Sequence, residues 1–376
     1  MFKVAIRFIR YDKAKSIGVV IGIVISTFLI GQQLGIASFL TGLMSALVDN
    51  SDGDIWVVDS KTQDANSLGK FDVRKVQEIR SIEGVSTAYG MVLAGGTATF
   101  SNGKSVPVTL IGSEAPAFAA GPTPQKILQG NTATLQENAA VSADFYDASV
   151  YEITLEPGIQ FEINGKRAVI GAVTNNLRGF GGNTMYTTIE RARYFGNGNE
   201  YDISAVIVGV KPGYSAAQVR DNINRHIFGV RAWVRLDFSK STVNYILGTS
   251  GIGASTGTLV IFAIISGFFI IGLTMYSSAL DRIRDYGTLK AIGASNGYVR
   301  GLILTQAAIF AVVGFVIAYA LLEGFRIGVR GSGLLFSFSW QIVAGIFGIT
   351  LFISLFGAVF ALRRITGLEP AAVFRG

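Results

Sequence analysis

From residue 16 to residue 48 no position carries a charged side chain, and three more uncharged, apolar stretches close the chain at 241–280, 301–322 and 331–362. A bilayer core is about 30 Å thick and is crossed by about 20 apolar helical residues. The pattern therefore predicts one span, a polar region at 49–240, and three further spans. The fold class expected is a membrane α-helical protein of four transmembrane helices, arranged 1+3, with an α+β extracytoplasmic domain between spans one and two. The first stretch exceeds what a crossing needs, since as a helix it would reach about 50 Å. Its outer half is also the more polar, with Gln32, Gln33, Ser38, Thr41 and Ser45. Residues 16–48 thus read as a first transmembrane helix continuing into a stalk. The run is longer than a signal-peptide core of about 7–15 residues and no convincing A-x-A site accompanies it, so it is expected to be retained.

Ahead of it, residues 1–15 read as an amphipathic helix at the cytoplasmic membrane surface, with Lys3, Arg7 and Arg10 on one face and Phe2, Ile6 and Ile9 on another. Within 49–240, strands are predicted at 54–60, 85–99, 106–111, 159–164, 167–173, 203–210 and 231–236. Helices are predicted at 72–80, with Asp72 as N-cap, and at 216–227. Asn102-Gly103 and Asn164-Gly165 mark hairpin turns. Two similar strand–hairpin–helix units suggest two lobes, divided near the prolines 116, 122 and 124. Residues 241–280 read as a stalk and second transmembrane helix, 281–300 as a compact, charged cytoplasmic connector, 301–322 and 331–362 as the third and fourth transmembrane helices, and 363–376 as a cytoplasmic tail.

Charge orients this layout. The formal net charge of the 376 residues is +7, which suggests nucleic acid until the charges are located. Acidic and basic residues nearly balance across 49–240, so the excess lies beside the membrane segments and argues against a nucleic-acid partner. Lys3, Arg7, Arg10, Lys13 and Lys15 precede the first span against Asp12. Arg282, Arg284, Lys290 and Arg300 fill the loop after the second, and Arg363, Arg364 and Arg375 follow the fourth. By the positive-inside rule these segments are cytoplasmic and 49–240 lies outside; Arg326 and Arg330 run against the rule without overturning it. With no cysteine and a single histidine, His226, disulfides, thiolate sites, a cysteine nucleophile and a histidine-cluster metal site are excluded.

Few motifs carry chemistry. Residues 98–105 (ATFSNGKS) fit a loose phosphate-binding loop, but a strand follows where that loop needs a helix, so a hairpin with a solvated Lys104 is the better reading. The glycine-rich 179–183 (GFGGN) reads as a surface loop. His226 reads as packed or solvent-facing, and Glu152, Glu156 and Glu162 form no catalytic constellation, so no catalytic residue is expected. Gly18/Gly22 and Gly31/Gly35 have the GxxxG spacing of close helix contacts, between subunits or within one. Gln32 and Gln33 are candidates for the transmembrane interface or the substrate path, because amides in lipid seek partners.

The segment 281–300 (DRIRDYGTLKAIGASNGYVR) is compact and charged, and a short helix there would present Tyr286, Leu289 and Ile292 together. Alone it reads as a positive-inside loop. The block RDYGTLKAIGASNGYVRGLIL, however, resembles the signature connector of the FtsX/MacB-type permeases, the four-span subunits of a class of ABC transporters. The opening AIRFIRYDKAKSIGVVIGI and the closing LEPAAVFRG resemble that family's ends, and the 1+3 layout matches. The resemblance covers both membrane portions, about half the chain, and the outer domain only in position and coarse pattern.

The resemblance implies that the connector is a coupling helix docking on a cytoplasmic ABC ATPase dimer. Leu289, Ala291 and Ile292 would be its apolar plug, and Arg284, Asp285 and Lys290 its polar partners, with Tyr286, Gly293, Ala294 and Ser295 in the same segment. It further implies a homodimer whose stalk moves the outer domain, no cofactor in this chain, and ATP with Mg in the ATPase. Membrane lipid and an extracytoplasmic adaptor are the other partners expected. The location expected is the cytoplasmic (inner) membrane of a bacterium, with both termini inside. The function implied is the permease subunit of an exporter of a hydrophobic or amphipathic compound, lipid-linked molecule or peptide. The alternative is a non-transporting regulator that passes ATPase-driven motion to a cell-wall hydrolase.

Overall fold

The computed structural model describes residues 1–11 and 13–366, without the side chains of 15, 279, 332, 360, 361 and 363–366. Asp12, the closing LEPAAVFRG and Arg375 lie outside the described residues, as do the side chains of Lys15, Arg363 and Arg364. The chain forms two compact units, Leu40–Gly253 and the combination of Met1–Phe39 with Ala254–Gly376.

Helix α1 (Phe2–Tyr11) turns Ala5 inward and leaves Lys3, Arg7 and Arg10 exposed, the amphipathic division expected. Helix α2 spans Lys13–Asp49. In hydrocarbon every backbone N–H must be satisfied within its own segment, which leaves helix as the form available to this apolar run. Val19, Ile23 and Ile30 join the core of the membrane-type unit, whereas Ile17, Ile21, Ile25 and Leu29 stay exposed.

The second unit is α+β. Its elements are β1 (Ile55–Asp59), β2 (Phe71–Asp72), α3 (Lys75–Arg80), β3 (Val85–Thr99), β4 (Ser105–Ser113), β5 (Ile127–Gln129), β6 (Ala140–Asp144), α4 (Ala148–Tyr151), β7 (Gln160–Ile163), β8 (Lys166–Thr174), β9 (Asn183–Thr188), α5 (Ile189–Gly196), β10 (Asp202–Ile203), β11 (Ala205–Val210), α6 (Ala216–His226), β12 (Val230–Val234) and α7 (Arg235–Thr249). Among the described residues ten strands form one sheet in the order β12-β1-β11-β3-β7-β8-β5, with β4 between β3 and β9 and β6 beside β8. Both hairpin units feed this sheet, joined where β3 pairs with β7. Strand β1 is buried on both faces, which is why it reads as an unbroken apolar run. Ile55 and Val57 pack on one side with residues of α3, α5 and α6. Trp56 and Val58 pack on the other with Leu47 and Val48 from the end of α2 and Phe238 of α7.

Several boundaries differ from expectation. Helix α3 begins at Lys75, because Asp72 sits in β2 and its carboxylate accepts the Arg74 backbone N–H at 2.8 Å, closing a turn instead of capping the helix. The strand expected at 203–210 divides at Ser204, and the one expected at 231–236 ends at Val234, where α7 starts. Strands β5, β6 and β9 and helix α5 were not expected. Residues 98–105 form the predicted hairpin, with Lys104 paired to Glu152 at 2.6 Å.

The stretch 241–280 is two helices. Helix α7 ends at Thr249, Gly251 takes a left-handed φ of +70°, and α8 (Ile252–Asp281) begins anew. Glycine adopts that backbone without steric cost. Then come α9 (Ile283–Ala291), α10 (Asn296–Val329) and α11 (Trp340–Thr366). Among the described residues, α2, α8, α10 and α11 supply four helices long and apolar enough to cross a membrane. They meet through small residues and one hydroxyl pair. An ideal Cβ on Gly357 of α11 would stand 2.9 Å from the Gly272 Cα of α8, so these two backbones touch. Thr27 and Thr350 share a hydrogen bond of 3.0 Å between α2 and α11.

Candidate functional site

The connector between the second and third candidate spans is helix α9, and it is held from several sides. Arg282, only 6 % exposed, donates from Nη1 to the Phe8 carbonyl at 2.6 Å and from Nη2 to the Ser16 hydroxyl at 3.4 Å. A buried guanidinium is tolerable where acceptors meet its fork of donors. Tyr286 stacks on Phe8 with centroids 5.8 Å apart and an interplanar angle of 21°, and its hydroxyl bonds Gln306 Oε1 at 3.2 Å. These contacts tie α9 to α1, to the start of α2 and to α10. Tyr286 therefore faces the bundle and not outward beside Leu289 and Ile292 as the sequence suggested.

The repeated-looking LKAIGAS is a helix stop followed by a helix start. The Ala294 N–H donates to the Leu289 carbonyl at 2.9 Å and the Gly293 N–H to the Lys290 carbonyl at 3.0 Å, with Gly293 at φ +101°. This is the Schellman arrangement, in which glycine at the left-handed position closes the helix. Ser295 then caps α10 by accepting the Tyr298 N–H at 3.2 Å. Leu289 and Ala294 are half-buried against the bundle, as the motif's hydrophobic contact requires. Lys290 is half-buried, while Arg284, Asp285 and Ala291 are exposed. Ile292 is 77 % exposed, an apolar side chain on a turn that the described residues leave uncovered. Beside it a groove of about 380 Å³ runs between α1 and α9, lined by Arg7, Tyr11, Arg282, Asp285, Thr288 and Leu289.

The glycines and amides singled out on α2 have mixed surroundings. Gly22 lies against Ile270 and Thr274 of α8, Gly31 against Leu322 of α10, and Gly35 against Phe336 and Phe338, all within this chain. A Cβ on Gly18 would meet nothing beyond its own helix within 4 Å among the described residues. Gln32 and Gln33 are half-buried. The close approach of α8 and α11 at Gly272 and Gly357 was not read from the sequence, because neither glycine has a GxxxG partner.

The outer unit holds a polar cluster that sequence reasoning also missed. Asp144 and Asp147 are fully buried. Asp144 accepts the N–H groups of Leu177 at 2.8 Å and Tyr146 at 3.2 Å and the Thr174 hydroxyl at 3.1 Å. Asp147 accepts the Tyr151 hydroxyl at 3.4 Å. Burial, reinforced by the Asp144 carboxylate and opposed by Arg178, pushes the Asp147 carboxyl up to about 7. Burial also raises Asp144, though its hydrogen bonds pull the other way. The two aspartates three positions apart were the available signal. Glu152, Glu156, Glu162 and His226 are exposed.

Comparison with known proteins decides the family. Residues 16–226 match the MacB-like periplasmic core domain, and residues 257–370 match the FtsX-like permease C-terminal domain. The chain belongs to the FtsX/MacB-type ABC transporter permeases. Over 386 aligned residues the permease is 22% identical to an uncharacterized ABC transporter permease of Methanocaldococcus jannaschii, covering 96% of this chain and 92% of the relative. An uncharacterized ABC transporter permease of Mycobacterium tuberculosis is 32% identical over 114 residues, 28% of this chain and 30% of the relative. The crystal structure of the periplasmic region of MacB from Actinobacillus actinomycetemcomitans aligns at a TM-score of 0.40 and 10% identity, covering 52% of this chain and 94% of that one. With its four membrane-type helices and its periplasmic-type domain the permease is a membrane protein with an extracytoplasmic domain, and permeases of ABC transporters in general have an ATPase partner.

Proposed function

We propose that the permease is the membrane subunit of an ABC exporter in which α9, with Arg284–Ser295 at its outer edge, receives force from a cytoplasmic ATPase dimer that binds ATP and Mg. The single observation that carries this is the fastening of α9. A helix tied by Arg282 and Tyr286 to α1, α2 and α10 cannot be displaced without moving the helices it is tied to. Ile292, on the turn that ends α9, is 77 % exposed and presents an apolar side chain to a partner. Apolar anchors seated in a partner's pocket carry much of an interface's energy. In this reading the permease is a homodimer in a cytoplasmic membrane with α1, α9 and both termini inside. The outer unit works the export of a hydrophobic or amphipathic compound, lipid-linked molecule or peptide, with an extracytoplasmic adaptor where one is present.

The test is affinity purification of the tagged full chain from its native membrane in mild detergent, with mass spectrometry of what accompanies it. An ABC ATPase is expected. Its recovery should fall at least tenfold in Ile292→Glu and in Leu289→Glu, with insertion unchanged. Absence of any ATPase, or full recovery with Ile292→Glu, defeats the coupling assignment. An ATPase accompanied by a wall hydrolase moves the reading from exporter to regulator.

A further inference from the structure

A second groove, about 580 Å³, lies in the membrane-type unit between α2 and α10. Its walls run side by side in the same direction. Ile23 is seated on Gly314 and Gly31 on Leu322, the same eight-residue step on both helices. Ile17 (56 % exposed) and Ile21 (51 %) form one wall, and Val313 (43 %) and Ile317 (42 %) the other. At one end only, the lining turns cationic with Arg10 and Lys13, both exposed, and no acidic residue lines the groove among the described residues.

Size and charge together select the occupant. At about 1.5 Å per residue, the wall from 16 to 24 spans about 12 Å, close to half of a hydrocarbon core about 30 Å thick. A slot one leaflet deep, apolar along its length and doubly cationic at the headgroup end, matches one acyl chain carrying an anionic head. A helix satisfies its own backbone and would not be turned away by an apolar wall, but the paired cations at one end select an occupant that brings an anionic head. We propose that this groove is a binding site for one anionic phospholipid of the cytoplasmic leaflet. The phosphate sits on Arg10 and Lys13, and one acyl chain lies between Ile17 and Ile21 on one side and Val313 and Ile317 on the other. The leaflet rests on the orientation given under Proposed function; the site's chemistry does not. Because Arg10 belongs to α1, which also holds α9 through Phe8, the lipid would brace the support of the connector.

Native mass spectrometry of the detergent-purified full chain, titrated with phosphatidylglycerol or phosphatidylcholine, tests this. One phosphatidylglycerol is expected to be retained, and phosphatidylcholine is expected to be retained far less. The double variant R10Q/K13Q should weaken phosphatidylglycerol binding about thirtyfold, each cation near an anionic headgroup being worth a factor of about five. Val313→Trp, which fills the slot and leaves the cations in place, should also lose the lipid. Ile265→Trp, on the exposed face of α8, should keep it and shows that added bulk is tolerated. Equal retention of both lipids, or no effect of R10Q/K13Q, would make it an ordinary boundary lipid and overturn the site. So would retention by Val313→Trp, which would leave charge attraction without a slot, or a chain dimer that forms only when lipid is stripped. The readout needs no ATPase, so failure of the coupling assignment and failure of the lipid site are separately visible.

Discussion

At the scale of single residues the informative side chains are polar ones in apolar places. Asp147 has a folded-state proton affinity near pH 7 against an unfolded value of about 3.9. A carboxyl raised in the folded state holds its proton more tightly there. Its contribution is complete below about pH 4 and is lost as pH rises through about 7, with a slope of up to about 1.4 kcal/mol per pH unit between. Asp147→Asn keeps an acceptor for Tyr151 and removes the titration. The variant is expected to show a flatter stability profile between pH 4 and pH 7 and to be the more stable chain at pH 8, as followed by tryptophan fluorescence during thermal unfolding. A steeper profile in the variant would remove Asp147 as the titrating group. The sequence offered only the spacing of Asp144 and Asp147, three positions apart, which carries no sign of burial. Burial is a property of the neighbours brought over them by β8 and the 175–178 turn, and no local pattern announces it. Tyr286 was misread for the same reason: helical spacing gives the angle between side chains but not which angle faces the bundle.

At the scale of elements, the long apolar helices and both Asn-Gly hairpins were readable, because each is dictated by a local rule: span length in one case, a left-handed two-residue turn in the other. The misses share a different cause. Strand β9 (NTMYTT) lacks the apolar alternation that marks a strand, yet Thr184, Thr187 and Thr188 are buried, Thr187 bonding the Ala140 carbonyl of β6 and Thr188 accepting from Arg191 of α5. The junction between α7 and α8 hid inside an uncharged run, where hydropathy cannot distinguish one helix from two. Helix packing gives a matched test. Gly357→Ala drives a methyl toward the Gly272 backbone and should cost about 1–3 kcal/mol, as overpacking does. Gly18→Ala meets open space and should be neutral or stabilise by up to about 1 kcal/mol through helix propensity. Thermal unfolding of both variants in one detergent checks the order; equal midpoints would mean that the α8–α11 contact does not bear on stability. Gly293→Val should have its effect elsewhere, in the connector. A β-branched residue at φ +101° opposes the turn, and the expected result is ATPase recovery reduced as strongly as by Ile292→Glu.

At the scale of the whole molecule, the layout follows from charge and hydropathy alone, and it is checked by labelling. Single cysteines introduced at Ser101, in the first hairpin, and at Thr288, in the connector, start from a chain with no cysteine of its own. An impermeant maleimide applied to intact cells should modify the first and spare the second until the membrane is opened. The reverse pattern would invert the orientation and with it the ATPase assignment. What the whole-chain comparison could not carry is partner identity, and the turn at Gly293 shows why. Gly293 and Ser295 are required by backbone geometry, and Leu289 and Ala294 by the contact that closes the turn. Any permease that needs this corner will converge on similar letters, whichever motor it serves. The letters that make the corner would then be the frame of a plug, and its pins would be the neighbours Arg284, Asp285, Ala291 and Ile292. A lineage could exchange one ATPase for another by altering those few surface positions, leaving the corner, and its resemblance to every relative, untouched.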